Sequence, residues 1–109
     1  MIWTPITIEE ILEMIHSTEN DLNDDLLSFW NLIKIDPEKW IEEEYGKEGD
    51  GFWVVGLIGR KVIYYNDIEE GFNISDYTTF GTIDEYICNQ DDLRIAILNI
   101  YGLLKFLKK

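Results

Sequence analysis

At 109 residues, with 46% hydrophobic and 14% aromatic content, the chain is long enough to build one hydrophobic core and too apolar to stay disordered. Its 22 Asp and Glu against 9 Lys and Arg give a formal charge of −13, which repels phosphate; DNA, RNA and anionic lipid are disfavoured as partners and basic proteins are favoured. The single cysteine, Cys88, rules out an intrachain disulfide and a Cys-based zinc site.

The start of the chain, Met1-Ile2-Trp3-Thr4-Pro5, has no basic stretch followed by an apolar one, so a cytoplasmic protein is expected. Thr7-Ile8-Glu9-Glu10 is a capping box, and Ile8, Ile11, Leu12 and Ile15 recur at helical spacing behind it, predicting an amphipathic helix to about Ser17. After the polar joint Thr18-Glu19-Asn20, residues Leu22, Leu26, Phe29, Trp30 and Ile33 line one stripe of a second helix. Asp36-Pro37 reads as an N-cap followed by proline at the first helical position, and predicts a short acidic helix through Glu44 that stops at Gly46. Gly46, Gly49 and Gly51 read as a mobile joint before the strands.

From Gly51 the period changes. Phe52–Ile58 and Lys61–Tyr65 are β-rich runs around Gly59-Arg60, a two-residue turn with glycine first, which predicts a β-hairpin. A third strand is expected within Phe72–Phe80, and residues 81–88 are left open between a short helix and a strand. Asn89 or Asp91 then caps a last helix from Asp92 to Lys108, apolar around nearly its whole circumference. Such a helix is either central to the core or covered by a partner, so a homodimer through it is an alternative. It is too short and too interrupted by Arg94 and Asn99 to span a bilayer. The expectation is one α+β domain over 1–109: N-terminal helices, a small antiparallel sheet with a central hairpin, and a C-terminal core helix.

Tests for chemistry find no enzyme signature. His16, the only histidine, sits near the end of the first helix with nothing nearby to select it as a base, and Cys88 lacks a basic neighbour, so a buried inert thiol is expected. Asp21-Leu22-Asn23-Asp24-Asp25 opens like a calcium loop, then fails, with Leu26 where glycine is required and Leu32 where the bidentate Glu belongs. The glycines match neither a dinucleotide fingerprint nor a phosphate loop. No metal and no cofactor is expected. Asn73-Ile74-Ser75 fits a glycosylation sequon, taken as accidental.

The stretch Tyr64-Tyr65-Asn66-Asp67-Ile68-Glu69-Glu70-Gly71-Phe72-Asn73 carries the functional expectation. Asn66-Asp67 is turn chemistry and Gly71 is read as the residue that lets the chain reverse, presenting Asp67, Glu69 and Glu70 at a sheet rim beside tyrosines. Tyrosines give contact area and carboxylates accept hydrogen bonds from Arg and Lys, so Asp67, Glu69, Glu70, Asp76 and Tyr77 are expected to bind a partner. Glu42, Glu43, Glu44, Glu48 and Asp50 form a second acidic patch, with a solvated helix face as its plain alternative.

The run GFWVVGLIGRKVIYYNDIEEGFNISDYTTFGTIDEYICNQDDL, residues 51–93, resembles small bacterial immunity proteins encoded beside polymorphic or contact-dependent growth inhibition toxins. The order VIYYND, EGF, GTIDEYI is also similar to the tail of the SMI1/KNR4 superfamily, although that superfamily's N-terminal leucine-proline and asparagine-glycine signature is missing. The resemblance implies a non-catalytic inhibitor that binds a cognate basic toxin domain, often a nuclease, and blocks its cleft. The alternative is an adaptor or regulatory module that binds another basic protein or peptide.

Overall fold

The computed structural model describes residues 4–47 and 50–107, with side chains up to residue 105. In chain order the elements are α1 (Ile8–Asp21), α2 (Asp24–Ile33), β1 (Lys34–Glu42), β2 (Phe52–Ile58), β3 (Lys61–Asn66), β4 (Gly71–Asp76), β5 (Thr82–Ile83) and α3 (Leu93–Leu107). The fold is α+β, with helices at both ends and a five-stranded curled sheet between them. The strand order is β4-β3-β2-β1-β5; the first four strands form an antiparallel meander and β5 runs parallel to β1.

The helices form where the capping chemistry places them. Thr7 and Glu10 complete the capping box of α1, and Asn23 Oδ1 accepts the Leu26 N–H to start α2. The first helix runs one turn past Ser17, because Glu19 in that turn accepts hydrogen bonds from Trp30 Nε1 at 2.8 Å and Lys34 Nζ at 3.0 Å. The last helix is capped by Asp92, whose carboxylate accepts the Ile95 N–H, rather than by Asn89 or Asp91. Its buried face is Leu93, Ala96, Ile97 and Ile100, while Arg94, Asn99, Gly102 and Leu103 are exposed, so it is a one-faced core helix rather than an apolar cylinder.

The predicted acidic helix after Asp36-Pro37 is strand β1 instead. Its residues alternate in burial, and β1 pairs with β2 through Glu38↔Val54, Lys39↔Trp53 and Trp40↔Phe52. Pro37 is tolerated because the ladder shifts between Lys34 and Glu38, where no proline amide is needed. That slip places Ile35 and Trp40, an odd number of residues apart, in the same apolar cluster. Burial of the indole of Trp40 thus overrides a local helix-start signal. The glycines that follow are close-packed rather than a joint: a Cβ at Gly51 would lie 2.1 Å from the Trp40 carbonyl oxygen, and one at Gly46 2.6 Å from Glu42 Cβ. Gly49 lies outside the described residues.

Both sheet faces are buried. On the helix face, Ile11, Ile15, Leu26, Trp30, Ala96 and Ile97 pack on Val55, Ile63, Tyr65 and Phe72. On the inner face of the curl lie Trp40, Phe52, Val54, Val62, Tyr64 and Ile83. The inner face is closed by residues 77–91, which contain only the two-residue β5 and therefore have few ladder partners for their backbone. Side chains of β3 and β4 supply those partners. Tyr64 Oη accepts the Ile87 N–H at 2.8 Å and donates toward the Glu85 carbonyl at 3.1 Å. Asn66 Nδ2 donates to the Ile87 carbonyl, Ser75 Oγ accepts the Glu85 N–H, and the Asn73 amide both donates to and accepts from the Asn89 backbone. The sequon asparagine, Asn73, is thus a buried clamp.

Removing one such clamp strands a buried backbone group, at about 1–3 kcal/mol. Tyr64→Phe and Asn73→Ala are each expected to lower unfolding free energy by that amount in urea titrations. Glu19 gives the fold an acid-sensitive component. Burial pushes its carboxyl up, but hydrogen bonds from Lys34 and Trp30 and the nearby charges of Lys34 and His16 outweigh this and hold it below its ordinary value. The stability it contributes is therefore complete above that ordinary value and is lost as pH falls through the lower folded one. Glu19→Gln should flatten the stability-versus-pH curve on the acid side of pH 4.5, measured by thermal melts.

Candidate functional site

The meander puts the turns at alternate ends of the sheet. At one end lie the β1–β2 turn with Glu43, Glu44 and Asp50 and the β3–β4 turn with Asp67, Glu69 and Glu70. Tyr86 ties these two turns together: its ring lies 4.6 Å from that of Tyr45, and its hydroxyl is 3.5 Å from Glu69 Oε2. The start of α1 reaches the same end, since the Ile6 N–H donates to Asp67 Oδ2 at 2.8 Å and Trp53 Nε1 to the Ile6 carbonyl. The start of α3 arrives there too, because the Phe72 N–H bonds the Asp91 carbonyl. Two helix N-termini thus face the acidic turns, and their dipoles favour negative charge.

At the other end are the Gly59-Arg60 turn, Lys61, Lys34 and the last turns of α3 with Lys105. Gly59 adopts φ +57°, the left-handed conformation that such a tight hairpin needs. Glu19, Asp36, Asp76 and Asp84 lie among these bases, so the far end carries both signs and the surplus of carboxylates gathers at the first end of the sheet.

The residues expected to bind a partner fall into several groups. Asp67, Glu69 and Glu70 share one turn, but Asp76 and Tyr77 lie at the opposite end of β3, roughly 17 Å away at about 3.4 Å per residue. Asp76 pairs with Lys61 at 2.6 Å, and the Tyr77 hydroxyl donates to the Gly59 carbonyl while its ring packs edge-on against Trp40. Glu42 is not part of the acidic surface. It is 2% exposed, and its carboxylate accepts the N–H groups of Glu44, Tyr45 and Gly46, which shapes the turn. Glu43 is exposed and paired with Lys47 at 3.0 Å, Glu44 and Asp50 are exposed, and Glu48 lies outside the described residues. Tyr64, grouped with this loop in the sequence, is wholly buried.

The 67–70 turn is built by Asn66, whose Oδ1 accepts the N–H groups of both Ile68 and Glu69. The residue that reverses the chain is Glu70, at φ +59°, and not Gly71. Glycine is required at 71 for a different reason: a Cβ there would sit 2.2 Å from the Asn89 carbonyl oxygen, so it admits the strap against β4. Asp67 is half-buried; burial pushes its carboxyl above the ordinary range, opposed by the Ile6 N–H and by Lys39. His16 is exposed within α1 rather than at its end, and Cys88 is exposed, not buried.

Beside this turn a groove of 630 Å³ runs between α1 and the β4–α3 corner. Among the described residues, six carboxylates line it, from Glu10, Glu13, Asp21, Glu70, Asp91 and Asp92, against one base, Arg94. Its apolar surface comes from Met14, Tyr65, Phe72 and Leu93. Of these acids only Glu70 was expected in a site. Glu10 and Glu13 are legible as the polar face of α1, but nothing in their spacing says that Asp91 and Asp92, some eighty residues on, face them across a groove. Among the described residues no group of three or more His, Cys, Asp or Glu is arranged to hold a metal ion, and no helix is long and apolar enough to cross a membrane.

The chain matches no known family model, no curated protein and no solved structure. The groove and the acidic end therefore stand on their own geometry. Glu70 is a test of whether that geometry is kept for binding rather than for stability. A left-handed conformation costs a non-glycine residue about 1–2 kcal/mol, partly offset by the extra freedom glycine has when unfolded. Glu70→Gly is expected to keep or raise the melting temperature while weakening association with a cationic partner.

Proposed function

We propose that the protein is a non-catalytic binding module that neutralises a cognate basic toxin domain, acting as an immunity protein, with its acidic end as the docking surface. The observation that carries this reading is the uneven distribution of charge: carboxylates of two sheet turns and two helix starts converge on one end, beside a groove with apolar walls. A nuclease that binds phosphate must present a basic cleft, and this end complements one.

The physics suits an inhibitor that must act before a toxin does. Opposite fields raise association rates to about 10⁸–10⁹ M⁻¹s⁻¹ at low salt, while buried aromatic and charged anchors set the dissociation rate. Glu43, Glu44 and Glu70 are exposed, so their substitution should change stability by less than about 0.5 kcal/mol each.

Co-expression with a basic protein encoded beside this chain, followed by co-purification and a growth-protection assay, tests the reading. The wild type is expected to capture that protein and protect cells, with an association rate that falls steeply as salt rises. The triple variant Glu43→Lys, Glu44→Lys, Glu70→Lys should remain folded and lose protection. A triple variant that protects as well as wild type, or a wild type that captures no basic neighbour, overturns the proposal.

A further inference from the structure

Buried polar groups on aromatic side chains are normally hydrogen-bonded, because leaving one unmade in the interior costs its hydration. The protein follows this rule at Trp30, whose Nε1 donates to Glu19, at Trp40, whose Nε1 donates to Glu38, and at Tyr64, which clamps the strap. Tyr65 does not. It is 7% exposed, its ring packs against Phe72 at 4.8 Å between centroids, and its hydroxyl makes no hydrogen bond to any described residue. The side chain lines both the acidic groove and a smaller adjoining depression bordered by Glu10, Asp67 and Glu70.

The surroundings of this phenol are anionic. Burial raises its pKa, and the charges of Glu70, Asp67 and Glu10 raise it further, so the hydroxyl stays neutral with its oxygen lone pairs available as acceptors. A group entering here meets carboxylates on two sides, a neutral acceptor at the floor, and the apolar walls of Met14, Phe72 and Leu93. A phosphate or carboxylate would be repelled. A hydrated metal ion would waste the aromatic wall. A flat, weakly hydrated cation on an alkyl stem matches every feature, because a guanidinium has five in-plane donors, stacks on aromatic faces and leaves its methylenes to cover apolar surface.

We infer that the groove is the seat of an arginine side chain presented by the basic partner, with the guanidinium between Glu70 and Glu10, one N–H donating to Tyr65 Oη, and the stem along Met14 and Phe72. This rests on the docking reading above and names the side chain that anchors it. Arginine anchors of this kind, desolvated beside aromatics, are where binding energy concentrates in protein interfaces.

The test uses the intact protein and a short blocked peptide with one central arginine, alongside the same peptide carrying citrulline or lysine. Binding is followed by NMR shifts of the Tyr65, Phe72 and Met14 signals and by calorimetry. The arginine peptide should bind with shifts confined to the groove, the citrulline peptide should not bind, and lysine should bind more weakly. Tyr65→Phe removes only a hydroxyl that has no hydrogen-bond partner among the described residues, so the melting temperature should be unchanged while arginine binding drops about tenfold. Glu70→Gln should weaken it similarly, and Glu43→Gln, in the other turn, should leave it unchanged. Equal binding of arginine and citrulline peptides, or arginine binding untouched by both Tyr65→Phe and Glu70→Gln, overturns the inference. Should those peptide results fail while the Lys triple variant still abolishes capture of the basic neighbour, the arginine seat is wrong and the docking surface stands. Should arginine bind as described while no basic neighbour is captured, the seat stands and the immunity reading falls.

Discussion

The structure depends on how a segment with almost no secondary structure is held in the interior. Residues 77–91 close the curled sheet, and a backbone buried there must find hydrogen bonds without a ladder. Tyr64, Asn66, Asn73 and Ser75 provide them, each buried and each pointing from β3 or β4 toward the strap. These side chains behave as a substitute strand edge. Their number explains why β3 and β4 carry polar residues at positions whose neighbours are apolar.

The strap in turn decides where α3 begins. Gly71 lets Asn89 pass close to β4, the Phe72 N–H takes the Asp91 carbonyl, and Asp92 caps the helix immediately afterward. Were the strap held elsewhere, Asp91 and Asp92 would not face Glu10 and Glu13, and the groove would not exist. The electrostatic character of the acidic end is therefore a consequence of a packing solution on the opposite side of the sheet.

Neighbouring tyrosines show how sharply strand geometry separates roles. Tyr64 and Tyr65 occupy successive positions, so their side chains lie on opposite faces. Tyr64 turns into the curl and is consumed by the strap, whereas Tyr65 faces the helices, and its hydroxyl, without a hydrogen bond among the described residues, lies in an anionic groove. Burial is nearly complete for both, so exposure alone would not tell them apart. The partners do. On the Tyr65 face a lateral row crosses the sheet as Lys39, Trp53, Tyr65 and Phe72, with the Lys39 ammonium 5.1 Å from the Trp53 ring centroid. This row already contains one cation over an aromatic, the same chemistry proposed for the groove beside it.

Local and periodic signals in the sequence determined a good deal: the α+β class, the capping box of α1, the stripe of α2, the Gly59-Arg60 hairpin and the net charge. These are properties of residues within one turn or one strand of each other, so they survive without knowledge of the fold. Other features were decided only by contacts between distant residues. Asp36-Pro37 carries a helix-start signal, but Trp40 gains more by burial in the curl, so the segment is a strand. Glu42 reads as part of an acidic run, but Glu44, Tyr45 and Gly46 turn their amides onto it. Asp76 and Tyr77 read as neighbours of Glu70, but six residues of extended chain carry them to the far end of the sheet. The groove joins α1 to the β4–α3 corner across most of the chain length, and no period or spacing encodes that meeting, because it is set by three-dimensional packing of the strap rather than by any local preference.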